Sequence, residues 1–144
     1  MNIEIKIEGK HDMNLIQRAL DDTIEACLED WGMEAQGLAT EEISGIYGEP
    51  KRVDTGNLRG SIGYVVHKNE DTVYVGTNVE YAVWVHEGTG IYAAEGGGRQ
   101  TPWFYKDEKG KWHFTRGMKP NRFLRNAIER HEQNYKDIAD KHFQ

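Results

Sequence analysis

The chain has 144 residues and a net charge of −6, with 38% hydrophobic and 29% charged residues. Such a length and composition are typical of one globular domain, which we expect to span residues 1–144. No apolar run approaches the roughly 20 residues that a membrane helix needs, and the first ten residues do not resemble a secretory signal. The lone cysteine, Cys27, excludes an internal disulfide, so an intracellular origin is the natural interpretation.

The charge is divided unevenly along the chain. Residues 1–50 carry three basic and twelve acidic side chains, a net charge of −9, whereas residues 97–130 carry nine basic and three acidic side chains, a net charge of +6. A solvated face explains any single charge, but it explains this asymmetry less well.

The first predicted elements are a strand and a long helix. Ile3, Ile5 and Ile7 alternate with charged residues, which predicts a half-buried strand. A helix follows over about residues 12–44, with Asp12 as its N-cap. Its predicted apolar face consists of Ile16, Leu20, Ile24, Cys27, Trp31, Ala35 and Leu38. On that face Cys27 is expected to be a core thiol.

The helix would be roughly 50 Å long, so Gly32 and Gly37 are expected to mark a bend or a break. After it, residues 61–67, 72–76 and 81–86 predict three strands with short, turn-rich connections, which favour antiparallel neighbours.

The last part of the chain predicts a hairpin and a helix. A flexible glycine loop precedes the hairpin, which covers residues 101–115 with a turn at 107–110. If Lys106 faces Lys111, four aromatic side chains share one sheet face: Trp103, Tyr105, Trp112 and Phe114. A helix is predicted over about residues 121–141. The fold class is therefore α+β, with a long N-terminal helix packed on a mainly antiparallel sheet, a hairpin insertion and a C-terminal helix.

The segment VHEGTG, residues 85–90, raises the possibility of an active site. A zinc protease helix needs a second histidine at position 90, which is glycine. The glycines are not followed by the lysine and helix start of a phosphate loop. A strand that ends in a turn explains the segment better, with no metal or cofactor.

Residues Asp54-Thr55-Gly56 form the signature triplet of aspartic proteases. That chemistry needs two paired carboxylates on buried loops, whereas a charged segment, residues 49–52, precedes this triplet. A cap on a short helical turn, formed by Asp54 or Thr55, explains more, with Leu58 pointing inward and Arg59 outward. A small dimeric protease that uses Asp54 remains the alternative function.

The basic segment 97–130 contains aromatic residues, a combination found in nucleic-acid-binding proteins. The whole chain is acidic, however, and the aromatic residues are accounted for by the hairpin. We therefore expect no sequence-specific nucleic-acid binding.

Several pieces in order resemble the tail-component family of long-tailed bacteriophages and prophages, which are tail-completion or head–tail joining neck proteins. The pieces are VDTGNLRGSI, VYVGTNVEYAVWVHEGTG and KPNRFLRNAI, within residues 53–128. The matching residues are Asp54, Thr55, Gly56, Leu58, Arg59, Ser61, Ile62, Val75, Gly76, Thr77, Tyr81, Ala82, Gly88, Thr89, Pro120, Phe123 and Leu124. The family often has a glutamate where this chain has His86, so no role is transferred to Glu87.

The resemblance implies a non-enzymatic virion protein of the head–tail junction or proximal tail end, assembled in the host cytoplasm without a cofactor. Its expected partners are other copies of itself in a ring and connector, tail-terminator or tail-tube proteins, without membrane contact. The charge asymmetry and the aromatic residues suggest the subunit interface. The candidate interface residues are Gly96, Gly97, Arg99, Trp103, Trp112, Arg116, Lys119 and Arg122.

Overall fold

The computed structural model describes residues 13–52 and 56–144. The α+β class is confirmed: a long helix is followed by two small antiparallel sheets and two C-terminal helices. The predicted strand at Ile3–Ile7, the cap at Asp12 and the triplet residues Asp54 and Thr55 lie outside the described residues.

The helices and strands follow one another in this order: α1 Met13–Ile43, α2 Asn57–Ser61, β1 Gly63–His67, β2 Thr72–Gly76, α3 Ala82–Glu87, β3 Trp103–Lys106, β4 Trp112–Thr115, α4 Phe123–Glu129 and α5 Glu132–His142. Single 3₁₀ turns occupy Lys68–Glu70 and Gly90–Tyr92.

Helix α1 is the element on which the body is built. It runs without interruption through Gly32 and Gly37, so the expected break is wrong. Its C-terminal half is buried against α2, the β1–β2 sheet, α4 and α5, whereas most of residues 13–26 are exposed. Cys27 is buried, as predicted, and desolvation followed by the charge of Asp30 raises the pKa of its thiol.

Gly32 allows α1 and the first sheet to approach closely. A Cβ at this position would lie 2.1 Å from the Tyr64 ring of β1, whereas a Cβ at Gly37 would meet nothing within 4 Å. The Tyr64 hydroxyl then donates a hydrogen bond to Glu29 on the same helix, at 2.8 Å. The glycine therefore makes room for an aromatic ring and does not interrupt the helix.

The first sheet pairs β1 with β2, with Tyr64 opposite Val75 and Val66 opposite Val73. The short, turn-rich connection predicted between these two strands, which includes residues 69–71, is confirmed. The third predicted strand, 81–86, is wrong: residues 82–87 form α3. Ala82 and Val85, three positions apart, are the buried residues of this helix. A short apolar segment fits both the helical and the strand periodicity, and here tertiary packing selects the helix.

The second sheet is the predicted hairpin of β3 and β4, but its register differs by one residue. Lys106 pairs with Trp112 and Phe104 with Phe114. Asp107 donates its backbone N–H to the Lys111 carbonyl, and Gly110 takes φ 82°, so the turn contains one residue more than expected. Trp112 and Phe114 consequently share a face with Phe104, while Trp103 and Tyr105 lie on the opposite face.

The predicted C-terminal helix is divided into α4 and α5 at Arg130 and His131. Both side chains turn toward Glu42 of α1, which is fully buried. His131 Nε2 lies 3.0 Å from Glu42 Oε1, and Arg130 Nη1 lies 3.5 Å from Oε2. Arg130 also pairs with Glu49. The buried carboxylate thereby holds the helix break against the end of α1.

The core lies between the C-terminal half of α1 and the elements that follow it. Phe123 and Ile43 are among its largest fully buried side chains, and burying a side chain of this size contributes about 1.5–3 kcal/mol. The core cluster consists of Leu38, Ala39, Ile43, Leu58, Ile62, Ala82, Val85, Phe123 and Ala127.

The two glycines of α1 provide a matched pair of substitutions. We expect Gly32→Ala to lower the free energy of unfolding by about 1–3 kcal/mol, because the Tyr64 ring must move. Gly37→Ala should raise it by about 0.4–1 kcal/mol, since the position is open and alanine favours a helix. Urea denaturation of both variants measures the difference. Equal effects would contradict the close approach of Tyr64.

The buried carboxylate can be tested in the same way. We expect Glu42→Gln to cost about 1.5–3 kcal/mol of stability, because the hydrogen bond with His131 and the ion pair with Arg130 lose their buried negative charge. Glu129→Gln, which removes the exposed partner of Arg125, should have little effect. Loss of stability that is equal in the two variants would show that Glu42 has no special role.

Candidate functional site

The first motif, around residues 56–62, forms a short helix against the core. Gly56 occupies the N-cap position of α2, with φ 80° and no side-chain cap bond. Leu58 is buried and Arg59 exposed, as predicted. Because Asp54 and Thr55 lie outside the described residues, their capping role and the protease alternative stay predictions.

The second motif connects the first sheet to α3. Gly76 ends β2, and Thr77 accepts a hydrogen bond from the Val79 N–H at 3.1 Å. The Thr77 hydroxyl also contacts the Ser61 hydroxyl of the first motif. Tyr81 is the N-cap residue of α3, and Ala82 is buried beside Leu58 in the core cluster. The structure therefore brings the two motifs together.

Gly88 and Thr89 lie in a backbone crossing rather than in a free loop. Thr89 exchanges backbone hydrogen bonds with Met118, and its hydroxyl accepts a further bond from the Met118 N–H at 2.9 Å. A Cβ on Gly90 would lie 2.0 Å from the Arg116 carbonyl oxygen, and one on Gly117 would lie 2.1 Å from that of Thr89. These glycines permit close packing of two backbone segments.

The third motif secures the beginning of α4. Pro120 is partly buried, Phe123 is fully buried and Leu124 packs against the core cluster. Between them lies Asn121, a residue that the sequence patterns did not single out. Its side-chain amide donates to the carbonyls of Glu42 and Pro50, at 2.9 and 2.8 Å. The sequence signal that could have identified Asn121 is its position, directly after a proline and before a helix.

His86 and Glu87 take part in internal contacts. His86 Nδ1 lies 2.8 Å from Glu87 Oε1, and its Nε2 accepts a hydrogen bond from the Arg125 backbone N–H in the first turn of α4. Since Nε2 accepts, the proton belongs on Nδ1, which donates to the glutamate. Glu87 also lies 3.6 Å from Arg122. This pair joins the end of α3 to the start of α4.

The candidate interface residues occupy adjacent segments. Gly96 and Gly97 lie exposed at the tip of the loop that follows the crossing. The loop borders a cleft of about 690 Å³ whose lining includes Trp84, Glu87 and Trp103. The Arg99 guanidinium lies 5.4 Å from the centre of the Trp103 ring.

Three further candidate residues follow β4. Arg116 and Lys119 are exposed, and Arg122 is half-buried beside Glu87. The Lys119 amino group lies 5.8 Å from the centre of the Tyr92 ring. The crossing of residues 88–91 with 116–118 joins the segment of these basic side chains to the loop. Together with the exposed aromatic residues between them, they make up the basic and aromatic surface over residues 95–122.

The hairpin supplies the aromatic part of this surface. Phe104, Trp112 and Phe114 are 67%, 65% and 58% exposed, and the two phenylalanine rings meet edge to face with centroids 5.2 Å apart. On the other face, Asp107 receives a hydrogen bond from His113 and further bonds from the backbone of Lys111 and Lys109, which together lower the pKa of its carboxyl. The turn is thus well ordered, although the aromatic face is uncovered.

The described residues, 13–52 and 56–144, contain no cluster of three or more histidine, cysteine or acidic side chains that could hold a metal ion. No helix in these two ranges is long and apolar enough to cross a membrane.

Comparison with known proteins gives one family. The family model described as "Bacteriophage HK97-gp10, putative tail-component" matches residues 10–88, which is more than half of the chain. No curated protein and no solved structure matches the chain. The matched range contains α1, the first sheet, α3, the first motif and the second motif up to Gly88. The chain therefore belongs to the HK97-gp10-like family of bacteriophage tail components.

Proposed function

We propose that the chain is a structural, non-enzymatic virion protein that acts at the head–tail junction or the proximal end of the tail. There it helps to complete or attach the tail, as a ring of subunits assembled in the host cytoplasm. The family match supports the virion assignment. The proposed contacts are with other copies of the chain and with connector, tail-terminator or tail-tube proteins.

The observation that carries the ring is the presence of two surfaces of opposite charge on different parts of the subunit. The exposed N-terminal half of α1 presents Asp21 and Asp22. The surface over residues 95–122 presents Arg99, Arg116 and Lys119. Two different patches on each subunit are what a head-to-tail contact requires, and such a contact closes into a ring when its rotation allows.

Charge alone does not supply the affinity of this contact. Complementary potentials steer the encounter and set the register, and exposed charges are screened over about 8–10 Å at ordinary salt. Burial of apolar surface from the hairpin supplies the remaining binding free energy. A subunit with these properties stays monomeric when dilute and assembles on a tail or connector template.

The tip of the loop is the segment expected to become ordered on assembly. Amide hydrogen exchange in the isolated subunit should be slow over residues 88–94, whose backbone bonds with residues 116–118 and Glu87 hold them in place. Exchange should be fast at the exposed tip, residues 95–97, because a Cβ on Gly96 or Gly97 would meet nothing within 4 Å. Equally slow exchange in both segments would contradict a role for the tip in assembly.

The charge model predicts the effect of reversing three basic residues. Replacing Arg116, Lys119 and Arg122 by glutamate should reduce incorporation into particles, because it removes the attraction to the acidic helix of the neighbour. Incorporation is measured by complementing a phage or prophage that lacks the gene and quantifying the chain in purified particles. Replacing Asp21 and Asp22 by lysine in the same chain should partly restore incorporation into particles.

The matched control reverses three exposed basic residues outside this surface, Lys51, Lys136 and Lys141. It changes net charge equally and should assemble normally. Because Arg122 pairs with Glu87 within the subunit, the thermal midpoint of each variant is measured first. Normal assembly of the Arg116, Lys119 and Arg122 variant at low salt would show that the charge asymmetry is only a solvated surface.

A further inference from the structure

We propose that the aromatic face of the β3–β4 hairpin docks into an apolar groove on the next copy of the chain. The groove lies between α1, β2 and the α4–α5 pair. The inference rests on the proposed head-to-tail ring and names the two surfaces that supply its apolar contact.

The groove has a volume of about 370 Å³. Its walls are formed by Leu28 and Trp31 of α1, Val73 and Val75 of β2, and Tyr135 of α5. Ile128 of α4 stands at its edge and is 50% exposed. No residue of the hairpin of the same subunit lines it.

The polar atoms of the groove walls already have partners. The Trp31 indole N–H donates to the Tyr135 carbonyl at 2.9 Å, and the Tyr135 hydroxyl donates to the Ala127 carbonyl at 2.7 Å. The two rings meet edge to face with centroids 6.3 Å apart. These bonds fix the walls before any partner arrives and leave ring faces and methyl groups for contact. The matching occupant is therefore apolar, and aromatic residues are well suited to such a pocket.

The hairpin provides such an occupant. A two-stranded hairpin is only marginally stable unless one of its faces is packed. Within residues 13–52 and 56–144, no other helix or strand covers either sheet face of this hairpin over a large area. Phe104, Trp112 and Phe114 form a contiguous exposed aromatic cluster. Each aromatic side chain carries about 150–250 Å² of surface, and an uncovered cluster of this kind marks an interaction site.

Charge at the edges agrees with the same pairing. Lys106 shares the aromatic face and holds its amino group 6.0 Å from the centre of the Trp112 ring. The lining of the groove includes two acidic residues, Asp71 and Glu132. A lysine beside the inserted ring therefore meets carboxylates at the rim. Because the hairpin and the groove are different patches, the contact is heterologous and propagates from copy to copy.

The test uses two full-length variants, each with one surface removed. The hairpin variant carries Phe104→Ser and Trp112→Ser, and the groove variant carries Ile128→Arg. All three positions are at least half exposed, so we expect both variants to fold. Each variant alone should associate roughly tenfold or more weakly than the unaltered chain. When the two variants are mixed, they should form a one-to-one pair in which the intact groove of the hairpin variant binds the intact hairpin of the groove variant.

The measurement is a methyl and amide NMR titration at up to millimolar concentration, with one variant labelled, which detects weak contacts. With the hairpin variant labelled, shifts should appear at Val73, Val75 and Ile128 when the groove variant is added. Phe143→Ser and Ile46→Arg, at other exposed apolar positions, are the controls and should leave association unchanged.

The absence of shifts at millimolar concentration would overturn the docking. Shifts confined to Leu15, Ile16 and Leu20, the exposed apolar residues of α1, would assign the hairpin to that helix and also overturn it. This result is distinguishable from failure of the proposed function. Particles that lack the chain altogether would contradict the virion role, whereas normal incorporation of both variants would contradict only the hairpin–groove contact.

Discussion

The end of α1 is the point on which the remaining structure depends. Glu42 is buried there with its carboxylate between His131 and Arg130, and its carbonyl accepts a hydrogen bond from Asn121. An unpaired carboxylate at this depth would cost several kcal/mol, so the chain must return to α1 with matching groups. The break between α4 and α5 supplies those groups, and Asn121 joins the same helix end to α3 through the Val85 carbonyl. The buried carboxylate of Glu42 thus anchors the break between α4 and α5 to the end of α1.

The body built around this point explains why the motifs of the sequence are separated along the chain but close in space. Leu58, Ala82 and Phe123 come from three different motifs and enter one core cluster. The crossing of Thr89 with Met118 then fixes the base from which the hairpin and the basic segment project. Residues that resemble an active site, His86 and Glu87, hold α3 to α4 instead. The motifs therefore set the geometry of a scaffold, and the exposed surface of that scaffold carries the contacts that we propose.

Much of the fold could be predicted from local pattern. The extent of α1, the antiparallel β1–β2 pair, the turn at residues 69–71 and the buried position of Leu58 follow from periodicity and turn chemistry. The candidate interface was predicted from charge distribution and aromatic content, and the structure places its residues on adjacent segments. Local pattern was insufficient for residues 82–87, because a short apolar segment fits both the helical and the strand periodicity. It was also insufficient for the hairpin, whose register changed with Gly110 in the left-handed backbone region.

The sequence by itself determined the α+β class, the long amphipathic helix and the family, because these depend on repeated or ordered residues that many positions specify together. Tertiary structure alone decided which apolar faces are covered. Phe104, Trp112 and Phe114 have the composition of a core but lie on an exposed face, since no other helix or strand of the described residues packs over it to a large extent. The tertiary structure also decided the role of Gly32, whose missing side chain makes room for Tyr64. Burial depends on what packs against a residue, and for these positions the packing partner lies on another element far along the chain.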